Sequence, residues 1–200
     1  MLKGDVEKRT LEVACQQILL TDASVYSVQW LDLPARYTSQ VTASLLLERY
    51  LDFVREFTCH LIRPTVTEDG VEFRLLATSL SLLSFSAPQY EAREGGEEVH
   101  LGICGGFLVQ AGECDRGMFS LLLAPHQEGV RITVQLSDYC PLLLGSRAPS
   151  RTRKLLYRVT QAYIHKVVTV RYLARLFHDL TGVKTRPKVK KVQVREGTQT

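Results

Sequence analysis

The sequence predicts an α+β protein, a curved antiparallel β-sheet packed against a long C-terminal helix. Three observations predict it. From Val71 to Tyr139, short strand-like segments are separated by tight turns, as in an antiparallel meander. From Ser150 to Leu180, apolar side chains recur at threes and fours instead. The composition, 45% hydrophobic and 23% charged over 200 residues, is that of a globular chain that can bury a core. It excludes a wholly disordered or collagen-like chain.

Taken in order, Asp5 to Leu20 has apolar residues at Leu11, Ala14, Cys15, Ile18 and Leu19. That spacing suits a short amphipathic helix, with a strand over Leu11–Leu20 as the alternative. Val25 to Leu31 is rich in β-branched and aromatic residues and reads as a strand, closed by Pro34. Thr42 to Cys59 is a helix: Leu45, Leu46, Tyr50, Phe53, Val54 and Phe57 form its apolar face, and Thr42 or Ser44 caps its start. Val71–Leu75 alternates strictly, so one of its faces is wet. Leu76 to Phe85 is mostly apolar and ends at Pro88. The acidic stretch Glu91–Glu98, with Gly95-Gly96 inside it, reads as an exposed loop.

Strands follow at Val99–Val109, Gly117–Leu123 and Val130–Leu136, with turns at Gly112–Arg116 and Pro125–Gly129. Gly105-Gly106 marks a bulge or sharp bend. The long helix begins near Ser150, a good N-cap, and stops at Gly182. Leu155, Leu156, Val159, Ala162, Tyr163, Val167, Val170, Leu173, Ala174, Phe177 and Leu180 fall in one broad arc. Lys166 intrudes on that arc and is expected to snorkel. A break would fall at the β-branched centre, Val167–Val170. Residues 1–182 are thus expected to form one α+β domain. Residues 183–200 form a basic, flexible tail, mobile unless a partner orders it.

The net charge of +4 hides a split. Residues 1–149 hold 12 basic and 19 acidic side chains, and residues 150–200 hold 13 and 2. Lys184, Arg186, Lys188, Lys190 and Lys191, followed by Arg195, make the tail a candidate polyanion-binding segment. Nucleic acid, an anionic membrane surface, an acidic protein or the chain's own Glu91–Glu98 stretch are the partners such charge fits. A purely solubilising role fits the composition as well, since the tail has no aromatic residue on which to stack a base. No apolar run approaches a membrane span and no signal-peptide core follows the charged start. The five cysteines, Cys15, Cys59, Cys104, Cys114 and Cys140, are odd in number and lack a CxxC pair. They read as reduced, mostly buried thiols of a cytoplasmic protein, with Cys104 and Cys114 placed to face each other across a hairpin.

Catalytic signatures are absent. The histidines His60, His100, His126, His165 and His178 show no metal-ligand spacing. Gly102-Ile103-Cys104-Gly105-Gly106 lacks the strand-to-helix elbow of a nucleophile turn and the Lys-Ser/Thr of a phosphate loop. No acid, base and nucleophile assemble, no cofactor motif appears, and a non-enzymatic role is expected ahead of a catalytic one. Opposite the helix's apolar arc lie Lys154, Tyr157, Arg158, Gln161, His165, Tyr172 and Arg175. Tyr157, Gln161 and His165 follow one another at i, i+4, so three hydrogen-bonding groups share a line. Tyr139 ends the last strand close to the start of this helix.

This order resembles the START-like helix-grip superfamily. The block from Val71 to Tyr139 and the helix from Ser150 to Leu180 carry the resemblance, which is one of architecture and covers about residues 25–182. It implies a cavity for lipids or other apolar molecules between sheet and helix. Some members are enzymes and some bind protein partners. The extra N-terminal segment and the basic tail depart from the usual pattern. The reading is therefore a soluble protein that encloses an apolar small molecule, with Tyr139, Tyr157, Gln161 and His165 as candidate ligand-binding residues. The alternative is a nucleic-acid-associated or assembly protein that meets its partner through the tail.

Overall fold

The structure is a computed structural model that describes residues 10–110, 112, 116–142, 144 and 163–199. Among the described residues eleven strands form one large curved sheet that is open, not a closed barrel. They are β1 (Thr10–Leu19), β2 (Val25–Pro34), β3 (Ile62–Thr67), β4 (Gly70–Leu75), β5 (Ser81–Ser86), β6 (Gln89–Arg93), β7 (Gly96–Gly105), β8 (Met118–His126), β9 (Gly129–Tyr139), β10 (Arg186–Lys191) and β11 (Thr198–Gln199). The main path runs β10-β1-β2-β9-β8-β7-β5-β4-β3; β6 adds to β7 and β11 to β1. Every pairing is antiparallel except β1 with β10. Among the described residues two α-helices, α1 (Ala43–Phe57) and α2 (Tyr163–Thr181), pack on the sheet. Among the described residues no helix is long and apolar enough to cross a membrane.

The hydrophobic pattern explains why the helices pack where they do. Along β9, Ile132, Val134 and Leu136 are buried in the main core, and the residues between them turn to the other face. Thr42 caps α1 by accepting from the Leu45 N–H at 3.2 Å. The Glu97 carboxylate accepts from the Ala43 N–H at 2.8 Å, which places a negative charge on the positive end of α1. Gly182, at φ 70°, ends α2 with its N–H donated to the His178 carbonyl, as a left-handed C-terminal cap does. Tyr172 holds the two helices together. Its hydroxyl donates to the Leu46 carbonyl at 2.8 Å, and its ring meets Tyr50 edge-on at 5.1 Å.

Four expectations need correction. The N-terminal segment is the strand, not the helix, because β1 lies between two neighbours and must satisfy both edges. The acidic stretch is not a loop: Glu91 pairs with Glu98 in the β6–β7 hairpin, turned by Glu94 and Gly95, the latter at φ 74°. Its last two carboxylates, Glu97 and Glu98, lead directly into buried Val99 and Leu101 of the same strand, β7. Tyr172 is not on a solvated helix face but is almost fully buried, because α2 packs on α1 as well as on the sheet. Of the cysteines, Cys15 and Cys140 are buried but Cys59 and Cys104 are exposed; Cys114 lies outside the described residues.

The tail is ordered by the chain itself. β10 runs parallel to β1, from Thr10 opposite Arg186 to Cys15 opposite Lys191. Beyond it the chain folds over the outer face of β1, where buried Gln16 grips it. The Gln16 Oε1 accepts from the N–H groups of Val194 (2.8 Å) and Arg195 (2.9 Å), and its Nε2 donates to the Arg195 carbonyl (2.6 Å). The Arg195 guanidinium lies 4.2 Å from the centre of the Tyr26 ring. Replacing Gln16→Ala removes all three bonds. The change is expected to cost about 2 kcal/mol in urea unfolding and to speed amide exchange at Val194 and Arg195. Unprotected amides there in the wild-type protein would contradict the assignment.

Candidate functional site

Helices and sheet do not meet everywhere. Between them is a cavity of about 250 Å³. The aromatic rings of Phe73 (β4), Phe85 (β5) and Phe119 (β8), with Ile103 (β7) and Leu136 (β9), form its sheet side. The rings pack on one another, Phe73 to Phe85 at 5.2 Å and Phe85 to Phe119 at 6.2 Å. Tyr50 and Val54 of α1 and Ile164, His165 and Val168 of α2 form the helix side. Ile164 is 58% exposed, so the cavity reaches the surface at the first turn of α2.

The bend predicted at Gly105-Gly106 shapes one wall. Gly106 has φ 116°, and a Cβ there would stand 2.5 Å from the Leu82 carbonyl oxygen. A larger residue is barred twice, by backbone conformation and by space. The bend returns the chain along β5, where the N–H groups of Phe107 and Leu108 donate to the carbonyls of Ser81 and Leu82. Leu108 is thereby set into the cavity wall.

The polar groups of the lining are few. Tyr139 lines the cavity, and its hydroxyl donates to the Leu108 carbonyl at 2.8 Å, which pins that wall. The Thr58 hydroxyl donates to the Val54 carbonyl (2.8 Å) and accepts from the Ile62 N–H (3.1 Å). His165 differs: its Nε2 is buried and has no hydrogen-bond partner. Among the described residues, no carboxylate, lysine or arginine lines the cavity.

Of the ligand-binding residues expected from sequence, the structure brings Tyr139 and His165 to one cavity. Tyr157 and Gln161, with the helix start at Ser150, lie outside the described residues. The aromatic residues of the sheet side carried no signal beyond that of strand core. The basic residues expected to bind polyanions are elsewhere. Lys184 precedes β10, and Arg186, Lys188, Lys190 and Lys191 lie on it. Charge and Pro187 on an edge strand discourage pairing with other chains, which accounts for much of this composition. Lys190 pairs with Glu12 of β1 at 3.6 Å, not with the acidic β6–β7 hairpin. A groove of about 440 Å³ between α2 and β10 gathers Lys166, Arg171 and Arg186 around Val167, Val170 and Val189.

One group on the sheet has the composition of a metal site. Ligand atoms of Glu91, Glu98 and His100 lie within 4.8 Å of one another. Spacing along the sequence conceals it, because strand register brings Glu91 opposite Glu98. Both imidazole nitrogens are engaged, Nε2 with Glu98 at 3.1 Å and Nδ1 with the Ser120 hydroxyl at 2.8 Å. The arrangement is a hydrogen-bonded polar row.

Fold and cavity together define a class: an α+β protein with an internal apolar cavity between a curved sheet and a pair of helices. No protein-family model matches the chain, and no curated protein does. Among solved structures it is similar to CalU16 from Micromonospora echinospora, at 11% identity over 85% of this chain and 90% of that chain. The TM-score is 0.35, too low to carry an argument.

Burial holds the His165 imidazole down at about 4, from an ordinary 6.5. Between those values the unfolded chain binds a proton that the folded chain refuses, so stability falls as pH drops from 6.5 towards 4. Asp22, kept near 2 by its hydrogen bonds from Ser24 and by Arg116, titrates below this window. Unfolding free energies at pH 7 and pH 4.5 should differ by about 2 kcal/mol through this group. His165→Leu should remove that part of the difference; an unchanged pH dependence would show that the imidazole is not so buried.

Proposed function

We propose that this is a non-enzymatic binding protein of helix-grip type that holds an apolar small molecule between sheet and helices. The observation that carries the reading is the cavity: about 250 Å³, walled mostly by aromatic and aliphatic side chains, with no charged residue among the described residues of its lining. An engineered cavity of about 150 Å³ holds benzene, so this one suits a ligand of about ten non-hydrogen atoms. Burial of that ligand's surface supplies the affinity. Phe73, Phe85 and Phe119 give flat faces against which an aromatic or branched molecule packs. START-like, helix-grip proteins share the general plan of a sheet gripping a C-terminal helix, and β4 to β9 with α2 fit that plan.

The test is a titration of delipidated protein with p-xylene, followed by methyl NMR. Saturable shifts are expected at Val54, Leu83, Leu136 and Val168, and none at Ile18 and Val28, which pack in a separate cluster. Leu83→Trp fills the space and should weaken binding more than tenfold with little loss of stability. Absence of saturable binding, together with no co-purifying ligand, would refute the reading.

A second reading keeps the basic edge as a site for polyanions, in particular nucleic acid. The observation favouring it is that Lys166, Arg171 and Arg186 converge on one groove, with no carboxylate among the described residues of its lining. Such binding would weaken steeply with salt. Truncating the tail does not test it, because that removes β10 from the sheet. The charge reversals Lys166→Glu and Arg186→Glu leave β10 in place, and together they should lower affinity for single-stranded DNA at least tenfold. Equal affinity in the double variant would exclude this groove.

A further inference from the structure

We propose that Tyr50 sets the ligand class of the cavity: an uncharged, mainly apolar molecule with one carbonyl oxygen, such as a ketone, which accepts a hydrogen bond from the Tyr50 hydroxyl. This inference rests on the cavity reading above and narrows it.

Among the described residues of the wall, four side chains carry a polar group: Tyr50, Thr58, Tyr139 and His165. The Tyr139 and Thr58 hydroxyls donate to the Leu108 and Val54 carbonyls, and those bonds build the wall. The His165 Nε2 has no partner, but it is sealed from cavity and solvent alike. Tyr50 differs from all three. Among the described residues its hydroxyl has no hydrogen-bond partner, and it is not one of the sealed polar atoms. Tyr50 is only 5% exposed and lines the cavity, so the surface left to its hydroxyl is cavity surface. The ring is held from two sides, edge-on to Tyr172 at 5.1 Å and tilted over Phe119 at 4.8 Å. A ligand therefore meets a hydroxyl that is already in position and spends nothing on ordering it. A buried polar group without a partner carries an uncompensated desolvation cost, and native structures keep few of them.

The chemistry of the missing partner follows from the wall. Burial alone raises the Tyr50 phenol well above its ordinary 10. The proton therefore stays on the oxygen at physiological pH and is available to donate. A ligand carbonyl accepts that proton and needs nothing in return. A ligand hydroxyl fits less well: between two hydroxyls one bond forms, and one proton is left without an acceptor. A carboxylate or ammonium would bring a charge that no described residue of the wall offsets, at a large desolvation penalty. A hydrocarbon would leave the Tyr50 hydroxyl unpaired. The expected ligand thus turns its oxygen to α1 and its apolar body to Phe73 and Phe85 on the sheet side.

The test uses two probes of the same shape, acetophenone and its carbon analogue α-methylstyrene, in which a methylene replaces the carbonyl oxygen. Each is titrated into the full-length wild-type protein and into Tyr50→Phe. Saturable binding of both by the wild type is expected. In the variant, acetophenone binding should weaken about fivefold, while α-methylstyrene binding holds or tightens. A second reading uses acetophenone labelled with ¹³C at the carbonyl. Bound to the wild type, that resonance should lie downfield of its position in hexane, as a hydrogen-bonded carbonyl does, and it should move back towards the hexane position in the variant. If the variant changes both affinities alike or neither, the role of Tyr50 is overturned and the cavity reading stands. The same follows if the bound carbonyl resonance is equal in the two proteins or lies at its hexane position in the wild type, or if only α-methylstyrene binds. If neither probe binds the wild type, the cavity reading fails and this inference with it. Should Tyr50→Phe not fold, the wild-type carbonyl resonance decides.

Discussion

Tyr172 is the residue on which the helix layer depends. A curved sheet must hide one apolar face, and two helices share that task here. Helix α2 is anchored to α1 through the Tyr172 hydroxyl and through its ring against Tyr50 and Phe53. Tyr50 in turn lies 4.8 Å from Phe119 of the sheet. One aromatic chain therefore joins both helices to the sheet. Because it fixes the spacing, the helices cannot slide inwards to fill the space beyond Tyr50 and Val54. A cavity persists only where its surroundings are prevented from relaxing into it, and this triad is what prevents it.

Much of the architecture was legible in the sequence because periodicity reports it directly. The apolar spacing of α1, the alternation over Val71–Leu75 and the hairpins of β7 to β9 all appear as written patterns. The stop at Gly182 and the bend at Gly105-Gly106 follow from glycine's access to positive φ. The β6–β7 hairpin was hidden because four carboxylates in eight residues look like solvated chain. Only strand register shows that Glu97 caps α1 while Glu98 meets His100. The role of the tail was hidden for a different reason. Its pairing with β1 is remote in sequence, and a local pattern of alternating lysine and valine does not name its partner.

The site was less legible than the fold. Tyr139 and His165 were singled out, Tyr139 for its place at a strand end and His165 for sharing a line with Tyr157 and Gln161. His165 reaches the cavity for another reason: the helix has two buried sides, so an apparent polar face points inwards at its first turn. Phe73, Phe85 and Phe119 carried only the signature of strand core. A void is a property of how side chains fail to meet, and no single residue type encodes it. Composition counts what is buried but not what is left unfilled.

The parallel pairing of β10 with β1 has a consequence for how the protein is made. β1 is the first strand of the sheet to be synthesised, and β10 emerges after every other strand of the main path. Until then one edge of β1 exposes its backbone groups beside Leu11 and Val13, both buried at the end. An unpaired edge of that kind invites association with other chains. The lysines of β10 therefore guard the finished sheet but cannot protect the nascent one. Closure is a late, long-range event, because β2 to β9 and both helices lie between the two strands in the chain. A chain that has not yet made β10 carries that open edge, and burying it is the last step in building the sheet.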